Sequence, residues 1–165
     1  MLKRILVRLI FRTYLVYLRR VSSEDLKKQT VRALQDFLQK VESLSPAQLE
    51  ARPFSGEWSA QEIAFHAVSA TKGLLRLCEA LHNNQDVPDM ERSAMGRTKQ
   101  VTQEDLELLC RRVIEMTDQF RFESGSTKTC AHPVAGKNDF KGWLLINLVH
   151  LQRHYRQLLR TTEAA

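Results

Sequence analysis

Asn147 to Arg160 reads N-L-V-H-L-Q-R-H-Y-R-Q-L-L-R. The run has no Gly, no Pro and no turn signal, so it is read as helix. Its apolar face extends backwards and forwards at helical spacing through Trp143, Asn147, His150, Leu151, His154 and Leu158. Polar side chains therefore sit inside an apolar stripe. His150 and His154 are four apart, which stacks two imidazoles one turn apart on one face. That spacing lets two side chains reach one ion, and equally lets them sit apart as ordinary surface histidines.

Working outward, three more helices carry their own start signals. Ser22 caps the first, with Val21 stapled to Leu26, and Leu26, Thr30, Ala33, Leu34, Phe37, Leu38 and Val41 follow at helical spacing. Ser45-Pro46 starts a short helical turn. Trp58-Ser59-Ala60-Gln61-Glu62-Ile63 opens the second long helix with a capping box from Ser59 to Glu62 and Trp58 able to staple onto Ile63. Its inward stripe is Ile63, His66, Ala70, Leu74, Leu77 and Leu81. The small neighbours Ala67, Ala70 and Gly73 are expected to leave room beside His66. His82, at that helix's C-terminal end, is expected on the surface. Val101-Thr102-Gln103-Glu104-Asp105 caps the third, which runs through Leu106, Leu109, Val113, Met116 and Phe120. The fourth begins near Asp139 and reaches about Thr161. The connections 82–100 and 122–138 are long for a bundle, and the second is expected as loop, with His132 and Cys130 as loop residues. The expected fold is all-α, a four-helix bundle with long crossover connections.

The 165 residues carry 25 basic and 19 acidic side chains. Lys3, Arg4, Arg8, Arg12, Arg19 and Arg20 all precede residue 22, where there is no acid, and the rest of the chain balances at 19 of each. The body is thus no basic nucleic-acid surface, and no nucleic-acid partner is expected. Two parts are expected: a basic amphipathic N-terminal helix over 1–21 and a bundle domain over 22–165. Arg8 and Arg12 each cost roughly 2.5–3.5 kcal/mol at mid-bilayer, which argues against a span. The helix instead suits peripheral contact with an anionic membrane, packing across the bundle or against a second copy in a homodimer, or a targeting segment or mis-assigned start. Cys78, Cys110 and Cys130 are odd in number and far apart, with no metal or disulfide pattern, which suits a reducing, cytoplasmic setting.

Three histidines fall on core stripes: His66, His150 and His154. A buried neutral imidazole leaving a nitrogen unpaired costs roughly 1–3 kcal/mol, so three converging need an organiser. A divalent cation is one, and three neutral ligands leave a position open, as in catalytic sites. Satisfied or exposed histidines are the alternative. Glu62, four before His66, is a candidate orienting group or base already explained by its cap. Gln157 and Asn147 are candidate contacts beside the histidines. Arg153 and Arg156 flank His154 as candidate anion-binding groups, against a solvated outer face.

Leu44 to Ala70, with L-S-P-A-Q-L and then R-P-F-S-G-E-W-S-A-Q-E-I-A-F-H, resembles the DinB/YfiT-like family of four-helix metalloenzymes. So does the later part: His132-Pro133, Gly136, Trp143, then H-x-x-x-H-x-x-Q at His150, His154 and Gln157. The resemblance covers about residues 24 to 160; the basic helix before Val21 is outside it. It implies a divalent metal, commonly nickel or zinc, on His66, His150 and His154. It also implies a small-molecule substrate and a thiol S-transferase, with a low-molecular-weight thiol as cofactor, or a hydrolase. A non-enzymatic metal-binding or partner-binding bundle, membrane-peripheral through residues 1–21, is the alternative.

Overall fold

Among the described residues, the computed structural model has five helices, and each begins at a side chain that accepts from its first-turn amides. Ser22 accepts from Asp25 N at the start of α1 (Ser23–Glu42). Ser45 does so for α2 (Pro46–Glu50), Ser59 for α3 (Ala60–His82) and Thr102 for α4 (Gln103–Gln119), each within a reciprocal capping box. A two-stranded antiparallel hairpin, β1 (Cys130–His132) with β2 (Gly136–Asn138), precedes α5 (Phe140–Glu163). The structure describes residues 20–88, 101–121, 127–133 and 135–163. The expected amphipathic helix, Arg20 and Val21 aside, lies outside them. No helix of the described residues is long and apolar enough to cross a membrane.

Side-chain contacts fix how the four long helices run. Lys27 donates to Asp118 O and Gln103 to Val41 O, so α1 and α4 are antiparallel. Gln61 donates to Val101 O at one end, and His82 meets Phe120 at the other, so α3 and α4 run parallel. Cys78 Sγ approaches Phe140 O while His66 faces His154, making α3 and α5 antiparallel. Each helix packs mainly on two neighbours, in the cyclic order α1, α4, α3, α5. Because α3 and α4 are consecutive yet parallel, the segment between them must return the length of a 23-residue helix, about 35 Å. The second long connection begins and ends at the same end of the bundle, since Phe120, His82 and Phe140 gather there.

The core is filled by Leu26, Leu34, Phe37 and Val41 of α1, Ile63, Ala67, Leu75 and Cys78 of α3, Leu106 and Val113 of α4, and Trp143, Leu144 and Leu151 of α5. Several expectations need correcting. On α4 Thr117 joins Leu106, Cys110 and Val113 on the buried face, while Leu109, Met116 and Phe120, expected there, are only half-buried. On α3 Ala67 is fully buried while Gly73 faces solvent, with nothing near its Cα, so Gly73 leaves no internal room beside His66. His82 is not a surface residue but packs edge-on against Phe120 and Phe140.

The segment read as loop over 122–138 contains the hairpin. Cys130 is buried in β1, and its carbonyl accepts from Trp143 Nε1 at 3.3 Å. Gly136 opens β2 at φ +76°, a backbone conformation that favours glycine. Asn138, buried, donates to Gly136 O. A Cβ on Gly142 would lie 2.8 Å from Asn138 Oδ1, so only glycine lets the first turn of α5 close onto β2. Asp139 Oδ1 accepts from Gly142 N and so caps that turn. The hairpin thereby anchors the start of the helix that carries two of the three histidines.

Candidate metal centre

α3 and α5 bring the three histidines together. Being antiparallel neighbours, they set the first two turns of α3 against the later half of α5, where His66 meets His150 and His154. Ring centroids are 4.4 Å apart for His150–His154, 4.8 Å for His66–His154 and 5.2 Å for His66–His150, each pair edge to face. One nitrogen from each ring can be chosen so that all three lie within 4.8 Å of one another. Among the described residues this is the one group of three or more His, Cys, Asp or Glu with that property.

Electrostatics keep the three rings neutral. Burial, then His154, His66, Arg153 and His132, push His150 down to about 3. Burial, His66 and Arg153 push His154 down to about 4, against an upward pull from its hydrogen bond to Gln157. Burial lowers His66. Neutral imidazoles offer lone pairs, which is what a cation needs and what a proton would remove.

The surroundings sort the ring nitrogens. His154 Nδ1 lies 3.0 Å from Gln157 Oε1, so it carries the proton and Nε2 is left for the cluster. His150 Nδ1 is buried without a hydrogen-bond partner, and so are both amide atoms of Asn147, one turn earlier. Trp58 walls the site, edge-on to His66 at 4.8 Å and parallel to His154 at 6.2 Å, tilted by 11°. Sequence alone placed Trp58 as a staple and as part of the motif that resembles the family, and did not place it against the histidines. Its position directly before the cap of the helix that carries His66 was the available signal.

Glu62 faces its own helix start. Its Oε2 accepts from Ser59 N at 2.9 Å and from Arg52 Nη1 at 2.6 Å, and Arg52 also donates to Glu57 O. His132 accepts from Ala135 N through Nδ1 and lies edge-on to Trp143 at 5.3 Å. It is outside the three-histidine cluster. Arg153 and Gln157 line an open groove of about 500 Å³ with Trp58, Phe54 and Arg160; Trp58 and Gln157 are also the residues that touch His154. Arg156 instead lies with Arg153 and Arg160 along the outer face of α5. All three cysteines are buried, and none is in a disulfide. Burial pushes Cys110 up to about 12 and Cys78 higher still, so both stay protonated thiols.

Comparison with known proteins agrees with this geometry. The family model of the DinB superfamily matches residues 29–158. No curated protein matches. Among solved structures, YfiT from Bacillus subtilis superposes with a TM-score of 0.69 at 12% identity over 86% of each chain. It is described as a probable metal-dependent hydrolase with an unusual four-helix bundle topology. A protein assigned to the DinB family from Exiguobacterium sibiricum 255-15 superposes with a TM-score of 0.61 at 19% identity, over 86% of this chain and 90% of that one. At these identities the likeness is one of fold.

Proposed function

The chain belongs to the DinB superfamily, and from that premise we propose that it is a metal-dependent enzyme acting on a small molecule, as a hydrolase or a thiol S-transferase. The observation that carries this reading is the set of three imidazoles held neutral with nitrogens inside 4.8 Å. The donor set fits a first-row divalent cation such as zinc or nickel: all-nitrogen, uncharged, and three in number, leaving a position open. The orphaned His150 Nδ1 is consistent with a ring whose other nitrogen has work to do. His66, His150 and His154 would hold the ion, which supplies Lewis acidity and makes a water or an external thiol nucleophilic at neutral pH.

The chain's own part follows from its side chains. Gln157 fixes the His154 tautomer. Trp58 excludes water from one side and holds two of the rings. Cys78 and Cys110, protonated in the core, supply no nucleophile, so the attacking group comes from solution. The groove past Arg153 and Arg160 shares Trp58 and Gln157 with the site, which supports it as the place where substrate binds, and guanidinium groups there suit a substrate or thiol bearing a carboxylate.

The test begins with elemental analysis of untagged protein beside the His150→Ala/His154→Ala double variant. About one equivalent of nickel or zinc in the wild type and none in a still-helical variant supports the site. An ester panel and a thiol–electrophile panel then separate hydrolase from transferase. No metal after incubation with zinc or nickel overturns the metalloenzyme reading. Metal without turnover on either panel favours the non-enzymatic binding module.

A further inference from the structure

Among the described residues Asn147 is a fully buried side-chain amide with no partner on either of its polar atoms. Thr30, Thr71 and Thr117 are as buried, and each donates its hydroxyl to the carbonyl four residues back. Ser59 caps α3, and Asn138 donates to Gly136 O. Asn147 has no solvent exposure, lies among Trp143, Leu144, Leu148 and Leu151 on α5, and neither its carbonyl oxygen nor its amide nitrogen has a partner. One turn along the same helix, His150 Nδ1 is in the same condition. Buried amides and imidazole nitrogens are rarely left unpaired, and two such groups at neighbouring positions are each other's remedy.

We infer that Asn147 is the positioning residue for His150: its amide carbonyl takes the Nδ1 proton, directly or through one internal water, and so leaves the Nε2 lone pair for the cluster. A neutral imidazole has one donor and one acceptor nitrogen, and the partner of one decides the role of the other. His154 already shows the arrangement, with Gln157 three residues later on Nδ1. Asn147 stands three residues before His150, so each of the two α5 histidines has a side-chain amide at i±3. A water between the groups would have three polar atoms to satisfy it, which is what an internal water requires. The opposite polarity, with the amide NH₂ donating to Nδ1, would put the proton on Nε2 and leave no lone pair there for the cluster. This inference rests on the metal reading only for its affinity arm.

The experiment is ¹⁵N-histidine labelling of the full-length chain and two-bond ¹H–¹⁵N correlation at pH 7.5, metal-free, with His150→Gln to assign the resonance. The expected result is a single Nδ1–H tautomer for His150 in the wild type, and a mixed or reversed tautomer in Asn147→Leu and Asn147→Ala. Asn147→Asp, which keeps an acceptor, is expected to restore the wild-type pattern. Zinc affinity, read by competition with a chromogenic chelator, is expected to fall ten- to a hundredfold in the Leu and Ala variants and only a few-fold in the Asp variant. An Nε2–H tautomer in the wild type overturns the inference. So does a tautomer unchanged in both apolar variants, even if they melt at a different temperature, because that is a purely structural role. If the wild type holds no zinc but its His150 tautomer follows residue 147, the metal reading fails and the positioning role stands.

Discussion

Protons should compete only weakly with a metal for this site, and the pH dependence of affinity shows it. Lowering the pH from 7.5 to 5.5 is the perturbation. An imidazole at its ordinary value of about 6.5 is roughly 90% protonated at pH 5.5, so it costs a ligated metal about elevenfold, and three such ligands cost about a thousandfold. In the folded protein His150 is pushed down to about 3 and His154 to about 4. Their protonated fractions at pH 5.5 are then roughly 0.3% and 3%, and even a ligand at 5 would be only about a quarter protonated. His66 is lowered from 6.5, so it adds at most about tenfold. The sign follows from the direction: a lowered value keeps the ring neutral to lower pH, so affinity persists where free histidine would have lost it.

The assay is zinc titration by calorimetry in non-coordinating buffers, with circular dichroism confirming the fold at each pH. Dissociation constants at pH 7.5 and 5.5 should differ by about tenfold or less. Buffers of different ionisation enthalpy give a second readout, the protons released on binding. Three solution-like imidazoles at pH 6.5 release about 1.5 protons per ion, whereas this site should release about 0.5 or fewer. A loss of affinity beyond a hundredfold, or release of more than one proton at pH 6.5, would refute the argument that burial and mutual repulsion hold the rings neutral.

Two further outcomes are expected. Gly142→Ala places a methyl against Asn138 Oδ1, 2.8 Å from the ideal Cβ position, while Asn138 is tied to Gly136 O. The overpacking costs about 1–3 kcal/mol, roughly 2–12 °C in melting temperature for a chain of this size; a melting curve superimposable on wild type would show that the hairpin yields freely. Residues 1–21 hold six basic side chains and no acid, and we propose that they bind anionic surfaces. Flotation with anionic liposomes at low salt should be salt-sensitive and lost on deleting 1–21, and failure of the intact chain to float would reject that reading.

The parts of the fold that were legible beforehand are those that local chemistry decides. Ser22, Ser45, Ser59 and Thr102 each satisfy helix-start amides within three residues, so sequence spacing alone places those starts. The stripe of α1 was also legible, because Leu26, Leu34, Phe37 and Val41 leave no competing face. α4 was legible only in part: Leu106, Cys110 and Val113 are buried, but Leu109 and Met116, both more apolar than Thr117, are half-buried while Thr117 goes inside with its hydroxyl on Val113 O. The hairpin escaped for a different reason: three-residue strands carry no alternation, and what stabilises them is distant, Trp143 on Cys130 O and Gly142 beneath Asn138. The site divides along the same line. That His66, His150 and His154 share a cluster was readable as polar interruptions of apolar stripes, since such an interruption is costly without a partner. Trp58 and the orphaned state of Asn147 were not, since both depend on how α3 and α5 sit side by side. Asn147 shows the rule most sharply. Its place in an apolar stripe beside His150 marks it as a candidate contact, but only the packed structure shows that it has no exposure and two unpaired atoms beside an equally unpaired imidazole.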